Sequence, residues 1–383
     1  MIPLYPEQPH ILFLFSDTGG GHRSASEAII EAINLEFPNQ ITTEMVDLFR
    51  QYAPPPLDRA PEIYPPLSRM PDLWRLGYHA SDGQRRTRIV TNIVWPYIRR
   101  SLHRLLEEHP CDLIVSVHPL MNTPILRVLG KREMPFVTVV TDMVSTHSFW
   151  YDSRADMVIV PTENARQRAL AMDVPSERIK VIGLPVSEKF CKPSGNTSEM
   201  RQVLGWPDDL PIVLLVGGGE GMGPLEKTAH AIEEAQLPVR LVIVAGRNRK
   251  LKNRLENHSW RIPALVYGFV REMPSFMRAS DMLVTKAGPG TISEAFIAGL
   301  PIILYSKMPG QEDGNVDYVV EEGAGKWAPD PYDVVNAVQE WLDRPEKMEA
   351  AVAACNRLAR PDAAFRIAHL LAEKVGVTQP ANS

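Results

Sequence analysis

Cysteine is scarce in this chain: Cys111, Cys191 and Cys355 are its only three, far apart in 383 residues. So few and so spread, they exclude a disulfide framework and a cysteine-built metal cluster, and they fit a reducing compartment. Charge of one sign is also lacking. A net charge of −5 with 23% charged residues gives no electrostatic ground for binding nucleic acid. No apolar run approaches the ~20 residues needed to span a bilayer, so any membrane contact is expected to be peripheral. The N-terminus has no charged lead and no apolar core, so no signal peptide is expected. Repeats and low-complexity tracts are missing. What remains is 44% hydrophobic content over a length that allows two domains with separate cores.

The stretch Thr285 to Asn315 organises the reading. Met282–Val284 is expected to be a buried strand that runs into the turn Lys286, Ala287, Gly288, Pro289, Gly290. A helix is expected from about Ile292 to Ala298, capped by Thr291 or Gly290 and stopped by Gly299. Pro301–Leu304 reads as the next strand. A glycine turn feeding a helix N-terminus offers unpaired N–H groups and the positive end of a dipole, and both suit a phosphate. Glu294 near that end suits ribose hydroxyls. The polar cluster Gln311, Glu312, Asp313 and Asn315 suits a sugar. An ordinary strand–turn–helix with a capping glutamate accounts for the same residues.

The first half opens as strand, loop, helix, strand: His10–Ser16, then Asp17 to His22, then Arg23 to Phe37 closed by Pro38, then Ile41–Leu48. This is the start of a doubly wound sheet. The loop is not a dinucleotide fingerprint, because Gly19-x-Gly21-x-x ends on Ser24 and the next strand-end acid, Asp47, comes too late. Ala53 to Gly83 is dense in proline, with Tyr64, Leu67, Met70, Leu73, Trp74, Leu76 and Tyr78 interleaved. It reads as an irregular functional insert. Arg85, Arg86, Arg88, Arg99, Arg100 and Arg104 follow among apolar residues. That pattern fits either a helix lying on an anionic membrane or a surface helix packed on its own core. Asp112–His118, Pro135–Thr141 and Met157–Pro161 read as parallel strands. Their carboxyl ends carry His118 and Asp142, with His147 and Trp150 just beyond, where ligands of open α/β sheets sit. Satisfied strand-end residues explain His118 and Asp142 equally well.

Lys189 to Ser198 reads as a linker. The second half repeats the theme: Pro211–Val216 runs into Gly217 to Gly223, Val239–Val244 into Gly246-Arg247-Asn248, and Ala264–Phe269 into a helix. The expectation is an α/β protein of two Rossmann-like doubly wound domains facing across a cleft. The bounds are 1–190 for an acceptor domain, 199–360 for a donor domain, and 361–383 for a C-terminal helix returning to the first.

These blocks together resemble the monogalactosyldiacylglycerol synthases, glycosyltransferases of the GT-B class. More distantly they are similar to bacterial diacylglycerol glucosyltransferases and to the enzyme that makes lipid II. The matching residues are Ser16 to Arg23, Ser116 to Met121, Thr141-Asp142 with His147 and Trp150, and Gly183 to Val186. In the second half they are Gly217 to Pro224, Gly246 to Asn248, Lys286 to Glu294, and Gly310-Gln311-Glu312 with Gly314-Asn315. The likeness runs from about Ile11 to Leu371. Plant members carry a longer N-terminus, so the chain looks like a bacterial form, expected on the cytoplasmic face of the cell membrane. The resemblance implies His22 as general base after the glycine-rich loop of Gly20 and Gly21. It implies that the second glycine loop (Gly218, Gly219, Glu220, Gly221) and the turn Lys286, Gly288, Pro289, Gly290, Thr291 hold a pyrophosphate. Glu294 would then meet ribose, and Gln311 and Glu312 the hexose. Arg247, Asn248, Phe269 and Asn315 are added as donor contacts. Gly20, Gly21, His118, His147, Trp150, Trp74, Arg85, Arg86, Arg99 and Arg100 are added as acceptor or membrane contacts.

The implied reaction moves galactose from UDP-galactose to the 3-hydroxyl of diacylglycerol with inversion, aided by anionic lipid. A histidine that is uncharged beforehand can take the alcohol's proton, and a helix N-terminus should keep His22 so. Either Asp17 or Asp142 orients or offsets it. No Asp-x-Asp occurs, so no metal and no cofactor are expected. A glucose donor is an alternative. A UDP-sugar epimerase would need neither the aromatic insert nor the arginine face, and a non-catalytic binder would turn over no UDP-sugar.

Overall fold

The computed structural model describes residues 8–17, 20–60, 62, 70–192, 195–221 and 223–378. Contacts divide the chain into two compact units. Unit 1 is Met1–Glu188 with Pro309–Gln311 and Asp362–Ser383, and unit 2 is Lys189–Met308 with Glu312–Pro361.

Unit 1 holds a six-stranded sheet in the order β2-β1-β3-β4-β5-β6, every pair parallel. Its strands are β1 His10–Phe15, β2 Thr42–Asp47, β3 Leu113–Ser116, β4 Phe136–Val139, β5 Met157–Val160 and β6 Ile179–Val181. The apolar runs are continuous because both faces are covered. Alternation along β1 sends Leu12 and Leu14 into one core and Ile11 and Phe13 into the other. The second core takes in Ile29 and Ile33 of the helix Gly21–Glu36. It also takes in Ile367 and Leu371 of the C-terminal helix Ala363–Lys374.

Unit 2 holds a second parallel sheet, β12-β11-β10-β7-β8-β9. Its strands are β7 Ile212–Val216, β8 Arg240–Val244, β9 Ala264–Tyr267, β10 Met282–Lys286, β11 Ile302–Ser306 and β12 Gly325–Trp327. Short β6 and β12 have no counterpart among the expected strands. Each is three residues with a lysine at its centre, so each lacks the apolar run by which the others are read.

Strand order reverses between β1 and β3 in unit 1 and between β7 and β10 in unit 2. Ligands of open α/β sheets bind outside the carboxyl ends of the strands at that reversal. The loops leaving β1 and β3 lead to His22 and His118. Those leaving β7 and β10 are the glycine turns at Gly217 and Gly288.

Two expectations are corrected. The segment read as irregular contains a regular helix, Pro71–Ser81, because Pro71 takes the first helical position, where a missing N–H costs nothing. The Tyr64 and Leu67 of that reading lie outside the described residues. The helix after β10 starts earlier than expected, at Pro289–Ala298, with Gly288 as N-cap. Proline at the first position again sets the start, and Gly290 and Thr291 become first-turn residues rather than caps.

Candidate active site

In unit 1, His22 stands on the first turn of the helix Gly21–Glu36, whose N-cap Gly20 has φ 80°. Its Nδ1 lies 2.9 Å from the Thr141 hydroxyl at the end of β4. The ring sits edge-on to His118 at 4.7 Å and tilted against Trp150 at 5.9 Å. Partial burial among these rings draws the imidazole away from water and pushes its pKa down to about 4, with the Val117 carbonyl acting the other way. Burial also lowers His118, and its nearness to His22 adds to the effect. His22 is therefore neutral at neutral pH. The leading cause is burial, where the sequence argument named the helix dipole.

The two carboxylates offered as helpers hold other partners. Asp17 receives Arg23 through both oxygens at 2.6 and 2.8 Å, and Arg50 lies 3.7 Å away. Asp142 accepts from Trp150 Nε1 at 2.7 Å and from Gln311 Nε2 at 3.0 Å, all within unit 1. Sequence reasoning matched Thr141 as a motif residue and gave it no role. Thr18 and Gly19 of the loop lie outside the described residues.

Three residues grouped with acceptor or membrane contacts prove to be interior. Trp150 is fully buried and backs the His22 ring. His118 is buried between His22 and Phe49. His147 accepts from Phe149 N and stacks on the Phe149 ring at 4.8 Å. A ring that closes a turn and packs on another aromatic has no face left for a bilayer.

The basic helix Gln84–Glu108 packs one face on its own core and leaves an apolar and basic side exposed. Thr87, Thr91, Ile98, Leu102 and Leu105 form its buried face. Ile89, Ile93 and Tyr97 stand exposed one turn apart on another side, as do Leu73 and Leu76 of the helix Pro71–Ser81. Arg85, Arg86, Arg99 and Arg100 are exposed with them, while Trp74 is half-buried. Arg86 also donates to the His79 and Asp82 carbonyls, joining the two helices.

In unit 2 the site is made of backbone. Gly221 has φ 59°, and a Cβ there would stand 2.2 Å from the Ala245 carbonyl oxygen. A Cβ on Gly246 would meet the Gly219 oxygen at 2.4 Å, and Arg247 N donates to that oxygen at 2.8 Å. The turns after β7 and β8 are thus locked together through glycine. Arg247 pairs with Glu220 at 2.8 Å and lies 4.5 Å over the exposed Phe269 ring. Asn248 instead caps the helix Arg249–Glu256, accepting from Leu251 N.

Lys286, at the end of β10, links both phosphate-type turns. A Cβ on Gly218 would lie 3.4 Å from its Cε, and one on Gly288 would lie 3.0 Å from its Nζ. Its ammonium is 2.8 Å from Glu312, whose other oxygen accepts from Met308 N at 2.7 Å. Asn315 donates to the Ala287 carbonyl at 2.9 Å and braces the turn from beneath. The first intrahelical bond after β10 runs from Ile292 N to Gly288 O, so the Gly290 and Thr291 amides precede the ladder. Glu294 lies on the second turn, and burial raises its carboxyl pKa to about 7.

Residues 22–186 match the monogalactosyldiacylglycerol synthase family model, and residues 212–367 match the glycosyltransferase family 28 C-terminal domain. A probable chloroplastic monogalactosyldiacylglycerol synthase of Glycine max is 41% identical over 378 residues, covering 95% of this chain and 71% of that protein. Chloroplastic monogalactosyldiacylglycerol synthase 1 of Arabidopsis thaliana is 39% identical, with coverage of 95% and 71%. Among solved structures, MurG of Acinetobacter baumannii aligns over 95% of this chain and 99% of its own at TM-score 0.62 and 16% identity. The calicheamicin glycosyltransferase CalG4 aligns over 97% and 99% at 0.62 and 15%. Likenesses at that identity support the GT-B fold and nothing finer. The relatives also correct the expected location. They are named as chloroplastic, so the cytoplasmic face of a cell membrane does not stand. An apolar and basic helix face is read by any anionic bilayer and carries no organelle address. Among the described residues, no helix is long and apolar enough to cross a membrane.

Proposed function

We propose that this chain, which belongs to the monogalactosyldiacylglycerol synthase family, transfers galactose from UDP-galactose to the 3-hydroxyl of diacylglycerol with inversion. The observation that carries the chemistry is the enclosed His22 imidazole, held neutral on a helix start and anchored through one nitrogen by Thr141. A neutral alcohol is a poor nucleophile. As its oxygen bonds to the anomeric carbon, its proton passes to His22, and the bond from that carbon to the UDP oxygen breaks. General-base help of this kind is worth about 10²–10⁴-fold, roughly 3–5 kcal/mol. Attack from the face opposite the leaving group gives a β-linked product.

The departing diphosphate gains charge. In this reading the first-turn amides of the helix Pro289–Ala298 and the turn at Gly218–Gly221 receive it, with Lys286 between them. Glu294 takes the ribose, and Gln311 and Glu312 take the hexose. UDP-galactose is a substrate, and no resident cofactor enters. The exposed apolar residues of Pro71–Ser81 and Gln84–Glu108, with their arginines, are the proposed peripheral contact with a membrane containing anionic lipid.

The test supplies UDP-galactose and UDP-glucose separately with diacylglycerol vesicles, with and without anionic lipid, and identifies the product. A β-galactolipid is expected, formed faster on anionic vesicles. A glucolipid made in preference would move the reading to a glucosyltransferase. Interconversion of UDP-sugars without lipid would replace it with an epimerase.

A further inference from the structure

We propose that His230, Glu233 and His258 form a binding site for a divalent transition metal of the zinc class in unit 2. Their three donor atoms lie within 4.8 Å of one another. His230 Nδ1 is 3.4 Å from Glu233 Oε2, and His258 Nε2 is 2.8 Å from the same oxygen. Tetrahedral zinc with bonds of about 2.0–2.1 Å sets its donors roughly 3.3–3.4 Å apart, so the two imidazole nitrogens, which lie within 4.8 Å of each other, close on the ion by side-chain rotation of roughly an ångström. Two imidazoles and one carboxylate are a zinc-type donor set that leaves a fourth position for water.

The site is built rather than scattered. The Glu233 side chain is 4% exposed, and its second oxygen is held by Arg261 N at 2.8 Å. That backbone bond aims Oε2 at the two imidazoles, the outer-shell support that metal carboxylates usually have. Trp260 stacks on His230 at 5.5 Å and stands edge-on to His258 at 4.7 Å, walling one side. Arg261 Nε lies 3.8 Å from the other carboxylate oxygen, and this side chain is more than half exposed and free to swing into water.

Without metal, the imidazole N–H groups and the carboxylate make a plain hydrogen-bonded triad. On binding, a neutral ring carries its proton on the nitrogen turned away from the metal and a charged ring releases one proton to solvent, so each ring offers the ion a lone pair. The bound ion would tie the end of the helix Leu225–Glu234 to the segment just after the helix Arg249–Glu256. The Glu226–Arg254 pair joins the same two helices at 2.7 Å. The role is a brace between these two helices, with no part in the transfer chemistry.

The full-length protein, stripped with a chelator, would be titrated with Zn²⁺ by calorimetry and with Co²⁺ by visible absorption. One equivalent is expected, with the intense visible bands of tetrahedral Co²⁺ and a Zn²⁺-dependent rise in Tm. His258→Ala lies on the segment outside the helices, and melting of the stripped variant checks its fold. His258→Ala and His230→Ala should each weaken Zn²⁺ binding roughly tenfold or more and abolish the Tm rise. No saturable binding, an octahedral Co²⁺ spectrum, or binding indifferent to both substitutions would overturn the site and leave the triad as hydrogen bonds alone.

Discussion

The candidate sites of the two units are built in opposite ways. In unit 1 a reactive side chain is enclosed by other side chains: His22 between His118 and Trp150, with Thr141 on Nδ1. In unit 2 the surfaces are backbone, made by glycines that allow turns from three strand ends to close on one another. The same force works in both with opposite results. Desolvation lowers His22 to about 4 and raises Glu294 to about 7, so each favours its uncharged form. In the proposed reaction one unit would supply a group that accepts a proton, whereas the other would supply fixed dipoles that receive charge.

The sharpest way to break this comparison is His22→Ala. Turnover should fall about 10²–10⁴-fold while affinity for UDP stays unchanged, because the contacts proposed for the diphosphate and ribose lie in unit 2. Calorimetric binding of UDP beside steady-state rates separates the two. Full activity would remove His22 as the base. Next comes Gly221→Ala. A Cβ forced to 2.2 Å from the Ala245 carbonyl at φ 59° should cost about 2 kcal/mol or more in stability and weaken UDP binding. An unchanged Tm with unchanged UDP affinity would mean that the backbone geometry of this turn is unimportant.

The difference between the units also explains what was legible in the sequence. Both sheets and nearly every strand could be read from apolar runs bounded by turn residues. The glycine turns of unit 2 were legible because each backbone requirement leaves its mark on the residue that meets it. The environment of His22 was not legible. Thr141 is 119 residues away, and nothing in its own neighbourhood signals that its hydroxyl will meet an imidazole. Arg23 likewise occupies Asp17 through a pairing that helix spacing alone does not reveal. The buried position of Trp150 was illegible for a related reason. An aromatic beside a strand end reads alike whether it faces lipid or, as here, donates to Asp142 from a fully buried position.

A smaller effect is expected from Glu294→Gln: about a tenfold rise in the donor KM with a modest change in kcat. The wild-type carboxyl, raised to about 7, is half ionised at neutral pH. In the proposed donor mode ribose hydroxyls donate to the ionised form, so donor affinity should improve as pH rises through 7, and Glu294→Gln should flatten that inflection. Because the folded pKa is raised, this group's contribution to stability is present below the unfolded value and is lost as pH rises through about 7. A melting series of the variant against wild type measures it.

The smallest effect tests whether burial or the Thr141 bond sets the state of His22. Thr141→Val keeps the shape of a side chain that is 5% exposed and removes only its hydroxyl. A several-fold drop in kcat is expected from loosened imidazole orientation, with donor KM unmoved. Wild-type turnover should stay level from pH 7 down to about 5 and fall only as His22 gains a proton near 4. The stability linkage runs the same way. The unfolded imidazole takes a proton below about 6.5 and the folded one does not, so stability is lost as pH falls from 6.5 toward 4. Both acid limbs should survive in Thr141→Val, because enclosure by His118 and Trp150 persists without the hydroxyl. If the kinetic limb instead moves up toward 6.5, the hydroxyl and not the surrounding rings holds the base neutral, and the contrast between an enclosed side chain and a backbone cradle loses its physical cause.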